Sequence, residues 1–273
     1  MKDLRMRAIT AAVAVSIVIP ALVLSPYGAW LFCVIVSMLA MWEFFALTQN
    51  EARRYRIAAM VMGGVMWTTA FLSITPLEVP VPRQVYWIEA MLVLPVLQLL
   101  VLFDPSEQNP AKQVGGVMLG FLYCVVPMYL FFELSVPDVV ATYSFHFPLG
   151  YLLLTWAVDV AAYFVGRFLG RHPLFERVSP KKTWEGAIGG ALFCLGWAWV
   201  NTQILPVEQF SWYIVAGLIA VFGQLGDLIE SMFKRSMQVK DSGGILPGHG
   251  GMLDRFDGTF VAVPFVYLYF SLL

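Results

Sequence analysis

Charge is scarce in this chain. Asp, Glu, Lys and Arg make up 13% of its 273 residues, where soluble domains carry about 25%. The 17 Lys and Arg almost cancel the 18 Asp and Glu, leaving a net charge of −1, so no global field draws the chain toward nucleic acid. Cysteine is scarce as well. Cys33, Cys124 and Cys194 stand singly in apolar runs, which excludes both a disulfide framework and a zinc site and reads as small buried side chains. Two nucleotide-binding signatures are missing: there is no G-x-x-x-x-G-K-[ST] loop and no Rossmann glycine fingerprint. No internal repeat and no low-complexity linker is visible. The basic start "MKDLRMR" is followed by an apolar run but by no small-residue cleavage motif, so residues 8–24 read as a first spanning helix rather than a removable leader.

Apolar residues are what the chain has, at 59%, with 15% aromatics. A spanning helix needs about 20 apolar residues. Nine such segments can be drawn, at roughly 8–24, 27–47, 57–75, 85–103, 113–134, 147–169, 185–205, 210–233 and 259–273. The expected fold is therefore all-α: a polytopic integral membrane protein of about nine transmembrane helices. Counting Lys and Arg in alternate loops tests that number. The N-terminus and the second, fourth, sixth and eighth loops hold 16 of the 17, and Arg83 is the exception. This asymmetry predicts a cytoplasmic N-terminus. We expect an N-terminal helical region, 1–135, of about five helices and a C-terminal catalytic region, 136–273. The latter carries the two longest polar stretches, 167–184 and 234–258, both on the cytoplasmic side.

Carboxylates inside apolar helices are costly and point to function. Asp159 lies in "LLLTWAVDVAAYFVGRFLG", and Asp227 and Glu230 lie in "VFGQLGDLIESMFKR". Spaced by three, the latter two share a helix face, with Ser231 one turn beyond Asp227. Gly223 and Gly226 would let a neighbouring backbone or a ligand approach. The alternative is polar glue between helices, or ion pairs with Arg167 or Lys234. Converging carboxylates beside basic loops suit a divalent cation with phosphates. Glu43, in "AMWEFFAL", has no polar company and carries little functional weight on sequence grounds.

In "RVSPKKTWEG", Ser179 and Pro180 make a good N-cap and first helical position. Lys181 and Lys182 would then fall in the first turn, against the helix dipole, a conflict that a bound anion would remove. Alternatively the helix starts at Thr183 and the lysines belong to the loop.

The stretch "KRSMQVKDSGGILPGHGGMLDRFDG", 234–258, holds seven of the chain's 35 charged residues and six of its 22 glycines. Lys234 and Arg235 suit a helix C-terminus in any case. Lys240 and Asp241 follow. Paired glycines let backbone N–H groups turn toward an anion, and His249 sits between Gly248 and Gly250, placed for phosphate contact or acid–base work. Asp254 and Asp257 are three apart, and Arg255 suits bidentate phosphate contact. These residues alone lead to metal-dependent phosphate chemistry at a membrane.

From Ser231 to Asp257, "SMFKRSMQVKDSGGILPGHGGMLDRFD" closely resembles the signature of the phosphatidate cytidylyltransferases, the CDP-diacylglycerol synthases. "SPKKTWEG", "GDLIES" and "DVAAYFVGRFLG" resemble further segments of that family. One departure stands at Val160, where the family usually has Ser or Thr. The resemblance covers about 159–258. It implies CTP and phosphatidate as substrates, CDP-diacylglycerol and pyrophosphate as products, magnesium with a second, monovalent cation such as K+, and a homodimer in a bacterial-type inner membrane with its active site facing the cytoplasm. No nucleic acid is implied as a partner. Carried onto these positions, the catalytic candidates are Asp227, Asp254, Lys240 and His249. The metal ligands are Asp227 and Asp254 first, then Asp159, Glu230, Asp241 and Asp257. Substrate phosphates fall to Ser179, Lys181, Lys182, Lys234, Arg235, Gly250, Gly251 and Arg255. A cation or proton transporter using Asp159, Asp227 and Glu230, a CTP-dependent polyprenol kinase and a non-catalytic relative are the rival readings.

Overall fold

The computed structural model describes residues 2–48, 53–75, 83–136, 143–206, 209–239, 241–245 and 250–272. Two candidate residues, Lys240 and His249, lie outside them. The chain forms two compact units. One comprises Met1–Tyr143 with Ser242–Leu253, the other Ser144–Asp241 with Asp254–Leu273.

The first unit contains α1 (Lys2–Leu24), α2 (Pro26–Thr48), α3 (Arg53–Ser73), α4 (Arg83–Leu102) and α5 (Pro110–Glu133). Its centre is the packing of α2 on α5. Phe44 and Phe45 of α2 crowd Gly120 of α5, where even a methyl group would collide with both rings. Polar side chains join α2 to α3: Trp67 Nε1 donates to Ser37 Oγ at 3.0 Å and Trp30 Nε1 to the Trp67 carbonyl at 2.8 Å. Beyond the end of α4, buried Asp104 takes Tyr55, Arg54 and Ser106 as partners. Cys33, Cys124 and Cys194 are all buried, as their apolar settings required.

The second unit contains α6 (His146–Leu169), a hairpin of β1 (Pro173–Phe175) and β2 (Ser179–Thr183), α7 (Trp184–Ile204), α8 (Gln209–Leu218), a π turn (Ile219–Gly223), α9 (Gln224–Ser236) and α10 (Leu253–Ser271). Here α6 and α7 pack backbone to backbone along their length. A Cβ added at Gly186 would lie 2.8 Å from the Ala162 carbonyl and 3.0 Å from Gly166 Cα, and one at Gly190 would lie 2.9 Å from the Val158 carbonyl. Small residues let backbones meet in this way inside membranes.

Each of the nine apolar segments read from the sequence coincides with a helical stretch. Among the described residues, six helices are long and apolar enough to cross a membrane: Pro26–Thr48, Arg53–Ser73, Gln84–Leu102, Pro110–Glu133, His146–Leu169 and Ser211–Ser236. The chain is an all-α membrane protein with one short antiparallel hairpin added.

That hairpin corrects the reading of Ser179 and Pro180 as a helix start. Residues 179–183 pair with β1, and α7 begins only at Trp184. Thr183 is the N-cap, extended at φ −126° and ψ 153°, and its Oγ1 accepts from Gly186 N at 3.2 Å. The junction is closed by Trp184 N donating to the His172 carbonyl at 2.9 Å. Glu185 clamps it further, accepting from the backbone N–H of Arg171 and His172 and meeting His172 Nδ1 at 2.6 Å. The lysines therefore sit on a strand, and no conflict with a helix dipole arises.

Candidate active site

The second unit encloses a cavity of about 740 Å³, within the usual range of small-ligand sites. Its walls are α6, β2, the first turn of α7, the π turn, α9 and the start of α10. Five carboxylates line it, Asp159, Asp227, Asp241, Asp254 and Asp257. Five cations accompany them, Arg167, Lys181, Lys182, Lys234 and Arg255.

Small residues make room for this convergence. A Cβ at Gly226 would sit 2.8 Å from Gly258 Cα, and one at Gly258 would sit 3.0 Å from the Gly223 carbonyl. What Gly226 admits is thus the backbone of α10, which passes against the Gly223 backbone and brings Asp254 and Asp257 beside Asp227. The π turn ends where this crossing begins, and π turns are frequent at functional sites. Gln224 fixes the next residue by donating from Nε2 to the Ala187 carbonyl at 3.2 Å.

Lysines answer the carboxylates pairwise. Lys182 of β2 is ion-paired with Asp227 of α9. Lys234 bridges Glu230 and Asp254, the latter at 2.6 Å, with its own side chain only 12% exposed. Removing one partner from a buried pair typically costs about 3–5 kcal/mol, so this bridge holds α9 to α10. Asp159 is open to the cavity. It experiences the like charge of Asp227, offset by Lys182 and Arg255, while Asp257 experiences Asp227, Glu230 and Lys182. Asp257 Oδ1 also accepts from the backbone N–H of Gly258 at 2.7 Å.

Among the described residues, no three His, Cys, Asp or Glu side chains form a ready-made metal cage. Magnesium rarely uses one: it is usually held by one or two carboxylates, completed by water and substrate phosphates. Hard oxygen donors from three helices line this cavity and are of the type that requirement asks for.

The family model for the cytidylyltransferase family matches residues 5–273. The chain belongs to the cytidylyltransferase family. A Bacillus subtilis (strain 168) protein named phosphatidate cytidylyltransferase is 40% identical over 163 residues, 59% of each chain. Relatives of the same name from Staphylococcus epidermidis (strain ATCC 12228) and Staphylococcus aureus (strain COL) are 28% identical over 263 and 271 residues, 96% of each chain.

Within this cytidylyltransferase fold, the candidate residues separate into groups. Asp159, Asp227, Asp241, Asp254, Asp257, Lys181, Lys182, Lys234 and Arg255 come together at the cavity. Glu230 is fully buried behind it, engaged with Lys234. Ser179 is part of the hairpin pairing, and Arg235 donates to the Val178 and Val239 carbonyls at 3.4 Å each. Gly250 and Gly251 belong to the first unit. Val160 is 55% exposed and outside the cavity lining. The sequence reading gave no site role to Arg167, which donates to Tyr163 Oη at 2.8 Å and lines the cavity with it. Their spacing of four in α6 was the available signal. It also passed over Glu43, discussed below.

Proposed function

We propose that the chain joins CTP and phosphatidate to give CDP-diacylglycerol and pyrophosphate, and that the 740 Å³ cavity is where it does so. The observation that carries the proposal is the meeting of five carboxylates and five cations in one cavity, built from the segments that resemble the family's signatures. A phosphate oxygen of phosphatidate attacks the α-phosphorus of CTP. The bond from that phosphorus to the β-phosphate oxygen breaks, and pyrophosphate departs with the electron pair. Both reactants are anions, so the first need is to screen their repulsion and the charge that develops on the leaving group. Lys181, Lys182 and Arg255 do this from β2 and α10, and Arg167 from α6. Lys182 is already beside Asp227, so arriving phosphate competes for it.

Asp227 and Asp254 are the residues that would hold magnesium, with Asp159, Asp241 and Asp257 orienting it and Glu230 acting through Lys234. Bound magnesium supplies charge neutralisation at phosphate oxygens. A second, monovalent cation such as K+ belongs to the same proposal, as do Lys240 and His249 on sequence grounds. We place the N-terminus and this cavity on the cytoplasmic side of nine spans, because 16 of the 17 Lys and Arg fall in alternate loops. A homodimer is the family's expected assembly.

The deciding assay gives purified protein magnesium, phosphatidate and CTP labelled at the α-phosphorus. Label entering the lipid supports the proposal. Label left on free CDP points instead to a kinase, and no turnover at all points to transport or scaffolding.

A further inference from the structure

A carboxylate at the end of an apolar helix is costly unless something nearby uses it. Glu43 of α2 is 3% exposed, among buried Met41, Phe44 and Phe45. Its partner lies 210 residues away in sequence: Oε2 accepts from the backbone N–H of Leu253 at 2.8 Å. Both ends of the glycine-rich loop converge on the same side chain. A Cβ built at Gly243 would lie 2.5 Å from Glu43 Oε1, and one at Gly251 would collide with Glu43 Oε2 and lie 2.5 Å from Ser242 Oγ. Two glycines, one near each end of the loop, are thus required by the carboxylate itself. Gly250, immediately before Gly251, has φ 82°, a conformation that L side chains rarely adopt.

We infer that Glu43 is a positioning residue of the glycine loop, its carboxylate fixing both ends of Ser242–Leu253 against α2. The inference rests on the proposed role of this loop in phosphate handling, and it deepens that role. Glu43 is buried on α2, whose neighbouring Phe44 and Phe45 pack against Gly120 of α5. The loop ends seat on it as two bare backbones, and only glycine leaves room for that seat. Gly251 serves this seat rather than the substrate directly.

The test uses full-length protein in detergent and compares wild type with E43Q, E43A and G251A. Two quantities are read: hydrogen exchange in peptides covering 243–253, and kcat/KM for CTP. E43A should speed exchange in those peptides and lower kcat/KM about 100-fold, the scale of a misplacement of about 1 Å. E43Q keeps an acceptor for Leu253 N and should stay within about fivefold of wild type. G251A should reproduce the E43A defect from the loop side with Glu43 intact, which separates lost positioning from a misfolded α2. Wild-type exchange in E43A overturns the inference, and so does fast exchange with undiminished turnover. If wild-type protein itself fails to label lipid, the proposed function falls, and the exchange data alone decide whether Glu43 seats the loop.

Discussion

Asp227 is where the charge pattern of the site is most exposed to a single substitution. It faces the cavity 40% exposed, with Lys182 as its counter-ion. Asn in its place keeps the volume and removes the charge. Asp227→Asn should lower magnesium-dependent turnover by about 100-fold or more, the usual scale for losing one charge-stabilising group, and a magnesium titration of turnover should show it. Gly250 offers a different single-residue test. With φ 82° it sits where a β-branched residue is strained, so Gly250→Val should cut turnover at least tenfold while leaving helical circular dichroism unchanged. Asp159 and Asp227 stood out as candidates because charge among apolar neighbours is conspicuous, and Asp254 and Asp257 through the concentration of charge and glycine in 234–258. Glu43 had the same setting but no local company. Its partners are over 200 residues downstream, and nothing short of tertiary structure brings them together.

At the scale of elements, the helices were legible, since long apolar runs leave a membrane chain few choices, but α1, α3 and α10 start four to six residues before the apolar runs that marked them. The β1–β2 hairpin was not legible. "SPKKT" lacks the apolar alternation of a strand, and its pairing comes from short-range closure by Thr183, Trp184 and Glu185. The cap at Thr183 has a measurable value. Thr183→Ala should cost about 1 kcal/mol, the usual loss for an N-cap, seen as a lower thermal midpoint in detergent, and Thr183→Ser should retain it. The sequence left Gly223 and Gly226 open to either a neighbouring backbone or a ligand. In the fold Gly226, like Gly186, Gly190 and Gly258, is taken up by helix–helix approach, whereas a Cβ at Gly223 would meet only Ile219, at 3.8 Å.

For the whole molecule, the distribution of Lys and Arg makes a directional claim that chemistry can test. Glu176 lies in the hairpin turn and Gln84 at the start of α4, both exposed. In intact cells a membrane-impermeant maleimide should label Gln84→Cys and leave Glu176→Cys untouched until the membrane is opened. The three native cysteines are buried and should contribute little background. The reverse pattern would invert the proposed orientation and put the cavity on the side without cellular CTP.

The π turn at Ile219–Gly223 also sets an angular phase. A π turn holds one residue more than an α turn, so along the single span Ser211–Ser236 the stretch after it is clocked by about 100° relative to an uninterrupted helix. Upstream, that rod can present Trp212, Val215 and Ala216 to the interior. Downstream, it can present Asp227 to a cavity that an unbroken helix would aim elsewhere. Deleting one residue within 219–223 would let the turn close as α and leave Asp227 at nearly the same angle and height. Closing it with every residue kept would swing the carboxylate by about 100°, so the site depends on the helix's rotational setting as much as on its composition.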